Sequence, residues 1–293
     1  MEAMQQAVTP PLKATDYKSG LKPVWCPGCG DFGVLNAMCQ VFQQLELRPE
    51  ETIIFSGIGC SSRLPGYLKS YGFNSVHGRV LPIAIGAKLA NPELNVIAAG
   101  GDGDGFSIGI GHFPHTCRRN VDFTYIVMDN NIYGLTKGQL SPTSPAEMNT
   151  TTSNFGSIET PINPIALAVG CEATFVARTF AGDIKHMVNV MALGIQHKGF
   201  SFIQVLSPCV TFVGKEQFVI IKNKLHYLQD DPEYDPSDRA AAFRVVDETD
   251  RISVGVIYHK HKPDYHDNLE ILRQAAAVKG DRKIEDLVEI FRP

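Results

Sequence analysis

Residues 100–105 read Gly-Gly-Asp-Gly-Asp-Gly and follow directly on the apolar run Asn-Val-Ile-Ala-Ala. Four glycines in six positions let the backbone turn sharply and approach a ligand closely. A helix starting from such a turn points free amides at an anion. A carboxylate in the same turn suits Mg²⁺, which takes oxygen ligands and bridges them to phosphates. The next apolar run, residues 123–128, ends at Asp129-Asn130-Asn131. If both runs are parallel strands, they end on one edge of the sheet, where open α/β sheets bind ligands. Asp102 and Asn130 then meet at one metal although they are 28 positions apart.

The rest of the chain supports a sheet of that kind. Expected helices cover 31–46 (with Asp31 as N-cap), 81–90, 108–119 (interrupted at Pro114), 164–169 and 183–196. Expected strands cover 52–56, 95–99, 123–128, 173–176 and 202–206. Alternation of this sort predicts an α/β fold, a mainly parallel sheet with helices on both faces. Residues 1–25 read as an extended N-terminal arm, because Pro10, Pro11 and Pro23 oppose helix. Residues 26–210 form the expected ligand-binding domain. Residues 211–293 read as a C-terminal extension that serves as a contact between subunits or a lid. It is polar to 251, with one strand at 252–258 and a peripheral helical end at 268–291.

Composition narrows the function classes. An apolar share of 44% in 293 residues is enough for a large core. A net charge of −4 gives no basic signal for nucleic acid or an anionic membrane surface. Apolar runs stay short of the roughly 18 residues a spanning helix needs, and the first 20 residues lack a basic-then-apolar leader pattern. The expectation is a cytoplasmic protein.

Seven cysteines, an odd number, point away from a disulfide framework. Cys26 and Cys29 form a CxxC just before the first helix, Cys60 follows strand 52–56, and Cys209 follows strand 202–206. The last two belong on the edge that carries Asp102. Spacing alone leaves a tetrahedral zinc and a 4Fe–4S cluster both open. Cys39, Cys117 and Cys171 read as structural thiols. His112, His115, His259, His261 and His266 read as packing or surface residues.

Two resemblances sharpen this. GDG, 26 intervening residues and NN resembles the thiamine diphosphate fingerprint. That implies Mg²⁺ on Asp102, Asn130 and the Ile132 carbonyl, with Gly103, Asp104, Tyr133 and Gly134 near the diphosphate. The segments WCPGCGDFGVLNA, SGIGCSSR, HGRVLPIAIGAKLANPELNVIAAGGDGDGFSIG and MDNNIYGLTKGQLSPTSP resemble the β subunit of 2-oxoacid:ferredoxin oxidoreductases, the 2-oxoglutarate type above all, over about residues 20–215.

This second resemblance implies one 4Fe–4S cluster on Cys26, Cys29, Cys60 and Cys209. It places Ile58, Gly59, Cys60, Ser61 and His77 at the cofactor, and turns Arg63 and Lys137 toward a substrate carboxylate. It also implies that the site is completed by an α subunit, in an αβ or (αβ)2 assembly. A 2-oxoacid and coenzyme A would react, electrons would leave to ferredoxin, and the reverse carboxylation would be open. A pyruvate-acting or other relative, a non-reductive thiamine diphosphate enzyme and a non-catalytic zinc or nucleotide-binding module are the competing readings.

Overall fold

The computed structural model describes residues 11–278 and 283–292. Helix α1 (Asp31–Gln44) precedes β1 (Thr52–Ser56), and α2 (Leu64–Tyr67) leads to β2 (Tyr71–Asn74). Next come α3 (Val80–Ala90), β3 (Asn95–Gly101), α4 (Asp102–Phe106), α5 (Phe113–Arg119) and β4 (Phe123–Asp129). A small ribbon of β5 (Ile132–Tyr133) and β6 (Gln139–Leu140) follows. The chain then runs through α6 (Pro164–Gly170), β7 (Phe175–Phe180), α7 (Ile184–Gln196) and β8 (Phe200–Leu206). Beyond these lie α8 (Gln217–Lys224), β9 (Leu225–Tyr227), α9 (Arg239–Val246), β10 (Ile252–His259), α10 (Tyr265–Val278) and α11 (Ile284–Ile290).

The main sheet has the order β2-β1-β3-β4-β8-β7-β10-β9. Every neighbouring pair is parallel except β7 with β10. The chain leaves β1 toward β2 on one side and returns to β3 on the other. The β1/β3 boundary is therefore a topological switch point, where loops diverge and open a crevice.

Each face of the sheet has its own core. On one face α1 packs Val34, Leu35, Met38, Val41 and Phe42 together with Met187, Val190 and Met191 of α7. The apolar residues of α1 recur at helical spacing, so one stripe is buried. On the other face α3, α5, α6 and α9 cover the sheet through Leu81, Phe113, Ile165 and Val246.

Several local expectations are corrected. Asp31 is the first residue of α1 and Gly30 is the N-cap. The expected helix 108–119 is split into a 3₁₀ turn, Ile110–His112, and α5. Pro114 stands in the first turn of α5, where its missing N–H costs nothing, so it starts the helix. The strand expected at 173–176 lies at Phe175–Phe180. Of the N-terminal arm, residues 1–10 lie outside the described residues. Residues Ala14–Tyr17 form a 3₁₀ turn, and Tyr17 is buried edge-on against Phe42. The 211–293 segment contributes β9 and β10 to the main sheet. Residues 279–282 of its helical end lie outside the described residues.

Candidate active site

Four loops meet at the β1/β3 crevice. Ile58–Ser61 follow β1, His77 follows β2, Gly101–Asp104 follow β3, and Asn130–Thr136 follow β4. They line a cleft with an empty volume of about 450 Å³.

Asp102 is 1% exposed, and its burial pushes the carboxyl pKa up. Hydrogen bonds oppose that push. Ser141 and Thr143 donate hydroxyls to Oδ2, the latter at 2.7 Å, and the Asn130 amide donates to Oδ1 at a long 3.4 Å. Oδ1 therefore keeps lone-pair capacity. Asn130 Oδ1 accepts from the Ile132 amide at 3.1 Å, which closes the turn after β4.

Asp104 turns back into the protein. Its Oδ1 accepts from the amides of Ile58 (2.9 Å) and Gly78 (2.8 Å), tying together the loops after β1 and β2. A side chain at Gly57 would run into this carboxylate. Burial raises the Asp104 pKa, while the two amides and the nearby His77 ring hold it down.

Two buried oxygens on this wall, Asp104 Oδ2 and Ser61 Oγ, have no protein partner. A buried polar atom left unpaired costs about 1–3 kcal/mol. An unpaired hydroxyl beside a glycine turn fits a polar, phosphate-bearing group, whereas Asp104 Oδ2 packs against Gly57 and Gly100.

The four thiols share the same rim. A Cβ added to Gly134 would stand 3.7 Å from the Cys209 sulfur and 3.8 Å from that of Cys60. Cys60 and Cys209 lie close enough to Cys29, and Cys26 and Cys209 to Cys60, to add to the rise in the pKa of Cys29 and Cys60. Burial is the larger cause: it pushes Cys60 up to about 11 and Cys29 well above the usual thiol range. Asp31 adjoins them, 2% exposed and raised to about 6 by burial, with Ser207 Oγ donating at 3.0 Å. The Trp25 indole donates to the Cys60 carbonyl at 2.8 Å and anchors the CxxC segment to the β1 loop. All four thiols are free. Among the described residues, no three His, Cys, Asp or Glu side chains are grouped as a metal-holding set. The thiols are neighbours without forming a closed cage, and four sulfur donors of this kind suit a soft iron–sulfur or zinc centre.

Residues 57–205 match the family profile "Thiamine pyrophosphate enzyme, C-terminal TPP binding domain". Residues 209–274 match the profile for the C-terminal part of the pyruvate ferredoxin oxidoreductase β chain. The 2-oxoacid:ferredoxin oxidoreductase 1 subunit beta of Aeropyrum pernix is 42% identical over 252 residues, covering 83% of this chain and 79% of that one. The chain belongs to the 2-oxoacid:ferredoxin oxidoreductase β subunits.

The 2-oxoglutarate synthase subunit KorB of Methanocaldococcus jannaschii is 44% identical over 195 residues, 67% of this β subunit and 72% of that one. One solved structure is 2-oxoglutarate:ferredoxin oxidoreductase from Magnetococcus marinus with 2-oxoglutarate, coenzyme A and succinyl-CoA bound. It superposes with a TM-score of 0.89 at 37% identity, over 96% of this chain and 97% of that one. The resemblance to the family continues past residue 215, where the sequence motifs end.

Within the β subunit, Ile58, Gly59, Cys60, Ser61, His77, Asp102, Gly103, Asp104, Asn130, Ile132, Tyr133 and Gly134 all line the one cleft. Arg63 and Lys137 do not line it. Both are exposed, Arg63 closing the 3₁₀ turn Ser61–Arg63 and Lys137 in a left-handed turn with φ of 84°. Lys137 instead lines a neighbouring cavity with Asn149, Thr150 and Phe212.

Sequence reasoning missed the residues that hold Asp102 and the turn after β4 from behind. Thr143 also meets Asp129 Oδ1 at 3.0 Å. Gln204 donates to Asp129 Oδ2 at 2.7 Å and accepts from Arg178 Nε at 2.8 Å. Burial, with the Asp102 charge next, lifts Asp129 to about 7. The signal for this network was the Ser-Pro-Thr-Ser stretch at 141–144, which reads as a plain polar loop.

Proposed function

We propose that this chain is the β subunit of a 2-oxoglutarate:ferredoxin oxidoreductase of the cytoplasm. The site is completed by an α subunit, in an αβ or (αβ)2 assembly. Thiamine diphosphate binds through its diphosphate in the β1/β3 cleft, with Mg²⁺ on Asp102, Asn130 and the Ile132 carbonyl. Cys26, Cys29, Cys60 and Cys209 hold a 4Fe–4S cluster.

One observation carries this reading. Gly134 lines the cleft, and its missing side chain would touch the sulfurs of both Cys60 and Cys209. Any group seated in the cleft is therefore a near neighbour of any centre on those thiols. Thiamine diphosphate supplies the electron sink for loss of CO₂ from a 2-oxoacid, and an iron–sulfur centre supplies a one-electron exit.

The chain's own residues bind and orient. Ser141 and Thr143 hold the Asp102 carboxylate in place and oppose the rise that burial imposes on its pKa. Ser61 and the amides of the glycine turn face the diphosphate. Tyr133, whose hydroxyl donates to the Gly103 carbonyl at 3.2 Å, walls the cleft and excludes water. Arg63 and Lys137 offer the counter-charge for the distal carboxylate of 2-oxoglutarate, a planar guanidinium taking it in a fork. Residues 211–293 combine a sheet edge with a contact to another subunit.

Anaerobic co-expression with the α subunit, followed by viologen reduction over a panel of 2-oxoacids with coenzyme A, tests the assignment. Preference for 2-oxoglutarate and iron in the complex support it. Zinc in place of iron, with no viologen reduction, contradicts it. Preference for pyruvate favours the second reading, which rests on the family profile matched by residues 209–274.

A further inference from the structure

The edge of the sheet opposite the cleft carries a second pair of neighbouring thiols. Cys117 lies in the last turn of α5, and Cys171 caps the C-terminus of α6. Strand β4, seven residues long, separates this edge from the metal turn, a span of about 20 Å. Cys117 is buried and Cys171 is partly open. Both line one cavity, with Arg118, Arg119 and Lys262 on its wall. The two thiols are close enough for each to shift the other's pKa.

Arg239 is held beside this pair. Its Nη1 meets Glu172 Oε1 at 3.0 Å and its Nη2 donates to the Gly170 carbonyl at 2.9 Å. Its buried Nε has no acceptor. Glu172, also bridged to Lys262 at 2.8 Å, is the acidic group of the cluster.

We propose that Cys117 and Cys171 form a reversible two-electron thiol switch, in which Cys171 is the site of attack by a small hydroperoxide and Cys117 resolves the product. The Cys171 thiolate attacks one peroxide oxygen and the O–O bond breaks. Hydroxide leaves and takes a proton to become water, and Cys171 becomes a sulfenic acid. The Cys117 sulfur then attacks the Cys171 sulfur and the S–O bond breaks. The thiol proton leaves with hydroxide as a second water. Two thiols and one molecule of hydrogen peroxide give one disulfide and two waters. A thiol reductant restores both thiols. Intracellular disulfides that do form are commonly of this transient, sensing kind.

The division of labour follows from the surroundings. A reactive thiol needs thiolate character and access. The neighbouring Cys117 thiol is the first cause that lowers Cys171 to about 7, burial opposes it, and Arg239 adds to the lowering. Cys117 is pushed far the other way by burial and stays a thiol until its partner is oxidised. At neutral pH the shift gives roughly 50-fold more thiolate, and the weaker intrinsic nucleophilicity of an acidic thiol takes back roughly eightfold.

The test uses the anaerobically purified holoenzyme with its α subunit. Hydrogen peroxide is added at about one equivalent, free thiols are alkylated, and peptides are identified by mass spectrometry. The expected result is a Cys117–Cys171 linked peptide that a dithiol reductant removes. Cys117→Ala is expected to trap Cys171 as a sulfenic acid that dimedone labels. It also slows alkylation of Cys171 at pH 7 about sixfold relative to the parent. Cys171→Ser is expected to leave activity unchanged and abolish the linked peptide. Oxidation confined to Cys26, Cys29, Cys60 and Cys209 with Cys171 still open to alkylation overturns the proposal. So does an alkylation rate of Cys171 that Cys117→Ala does not alter.

Discussion

Gly103→Ala isolates the fit between the glycine turn and the wall of the cleft. A Cβ at this position would stand 2.7 Å from Tyr133 Cδ1 and 2.8 Å from Cζ, with Cε1 closer still. Ordinary contact between carbons is about 3.5 Å, so the ring has to retreat by about 1 Å. Gly103 sits in the helical turn α4, without a positive φ, so alanine adds no backbone strain. The cost is steric, and overpacking of this size is worth about 1–3 kcal/mol. Tyr133 and Gly103 both line the cleft, so the ring's displacement falls on the proposed cofactor site.

The expected effect on thiamine diphosphate affinity in the presence of Mg²⁺ is therefore about 5- to 150-fold weaker binding. Titration calorimetry on the αβ complex reads it directly. Combining the change with Tyr133→Ala removes the obstacle. In that background Gly103→Ala is expected to cost almost nothing, giving a coupling close to the whole single-mutant effect. An equal cost in both backgrounds would refute the reasoning, because the damage would then lie in the turn itself.

Ser141→Ala removes one donor to the buried Asp102 carboxylate. A hydrogen bond to a charged group is worth about 1.5–3 kcal/mol, so Mg²⁺-dependent cofactor binding is expected to weaken at least tenfold while circular dichroism stays unchanged. Arg63→Ala and Lys137→Ala are each expected to raise KM for 2-oxoglutarate about tenfold and to leave KM for pyruvate nearly unchanged; equal effects on both substrates would remove the charge-recognition role. His197, buried against Phe175 with Thr174 on Nε2, has its pKa pushed down to about 4 by desolvation, then by His259 and His261. Between about pH 6.5 and 4 the unfolded chain binds this proton and the folded one refuses it, so stability falls as pH falls through that window. The gap corresponds to about 3 kcal/mol. Urea denaturation at pH 7 and pH 4.5 reads it, and His197→Asn is expected to flatten the difference.

Much of the sheet and the cleft was legible in the sequence because the signals are local. Short apolar strands ending in glycine, cysteine or Asp-Asn mark the rim residue by residue. Strand β2 was not legible: Tyr71–Asn74 is exposed at all four positions and is a strand only through its parallel bonds to β1. The antiparallel direction of β10 has no signature in its own residues, since it is set by the route of the chain after β9. Helix α9 did carry a signal, with Asp238 capping the Ala240 amide at 2.8 Å ahead of an alanine run, but it stood in a segment dominated by charge. The clamp on Asp102 was hidden for a different reason. Ser141 and Thr143 stand 39 and 41 positions away, and nothing local marks a hydroxyl that serves a distant carboxylate.

In the proposed function the cleft and the four thiols act as one electron-transferring site. Visible absorption and low-temperature electron paramagnetic resonance on the anaerobic αβ complex test it, with thiamine diphosphate, Mg²⁺ and 2-oxoglutarate but no ferredoxin. Expected are about four iron atoms per β chain, bleaching of the visible absorption and a reduced-cluster signal that appears with substrate and is absent in Cys209→Ser. Decarboxylation of 2-oxoglutarate with no change in the iron–sulfur spectrum, or a complex that holds zinc, would contradict it.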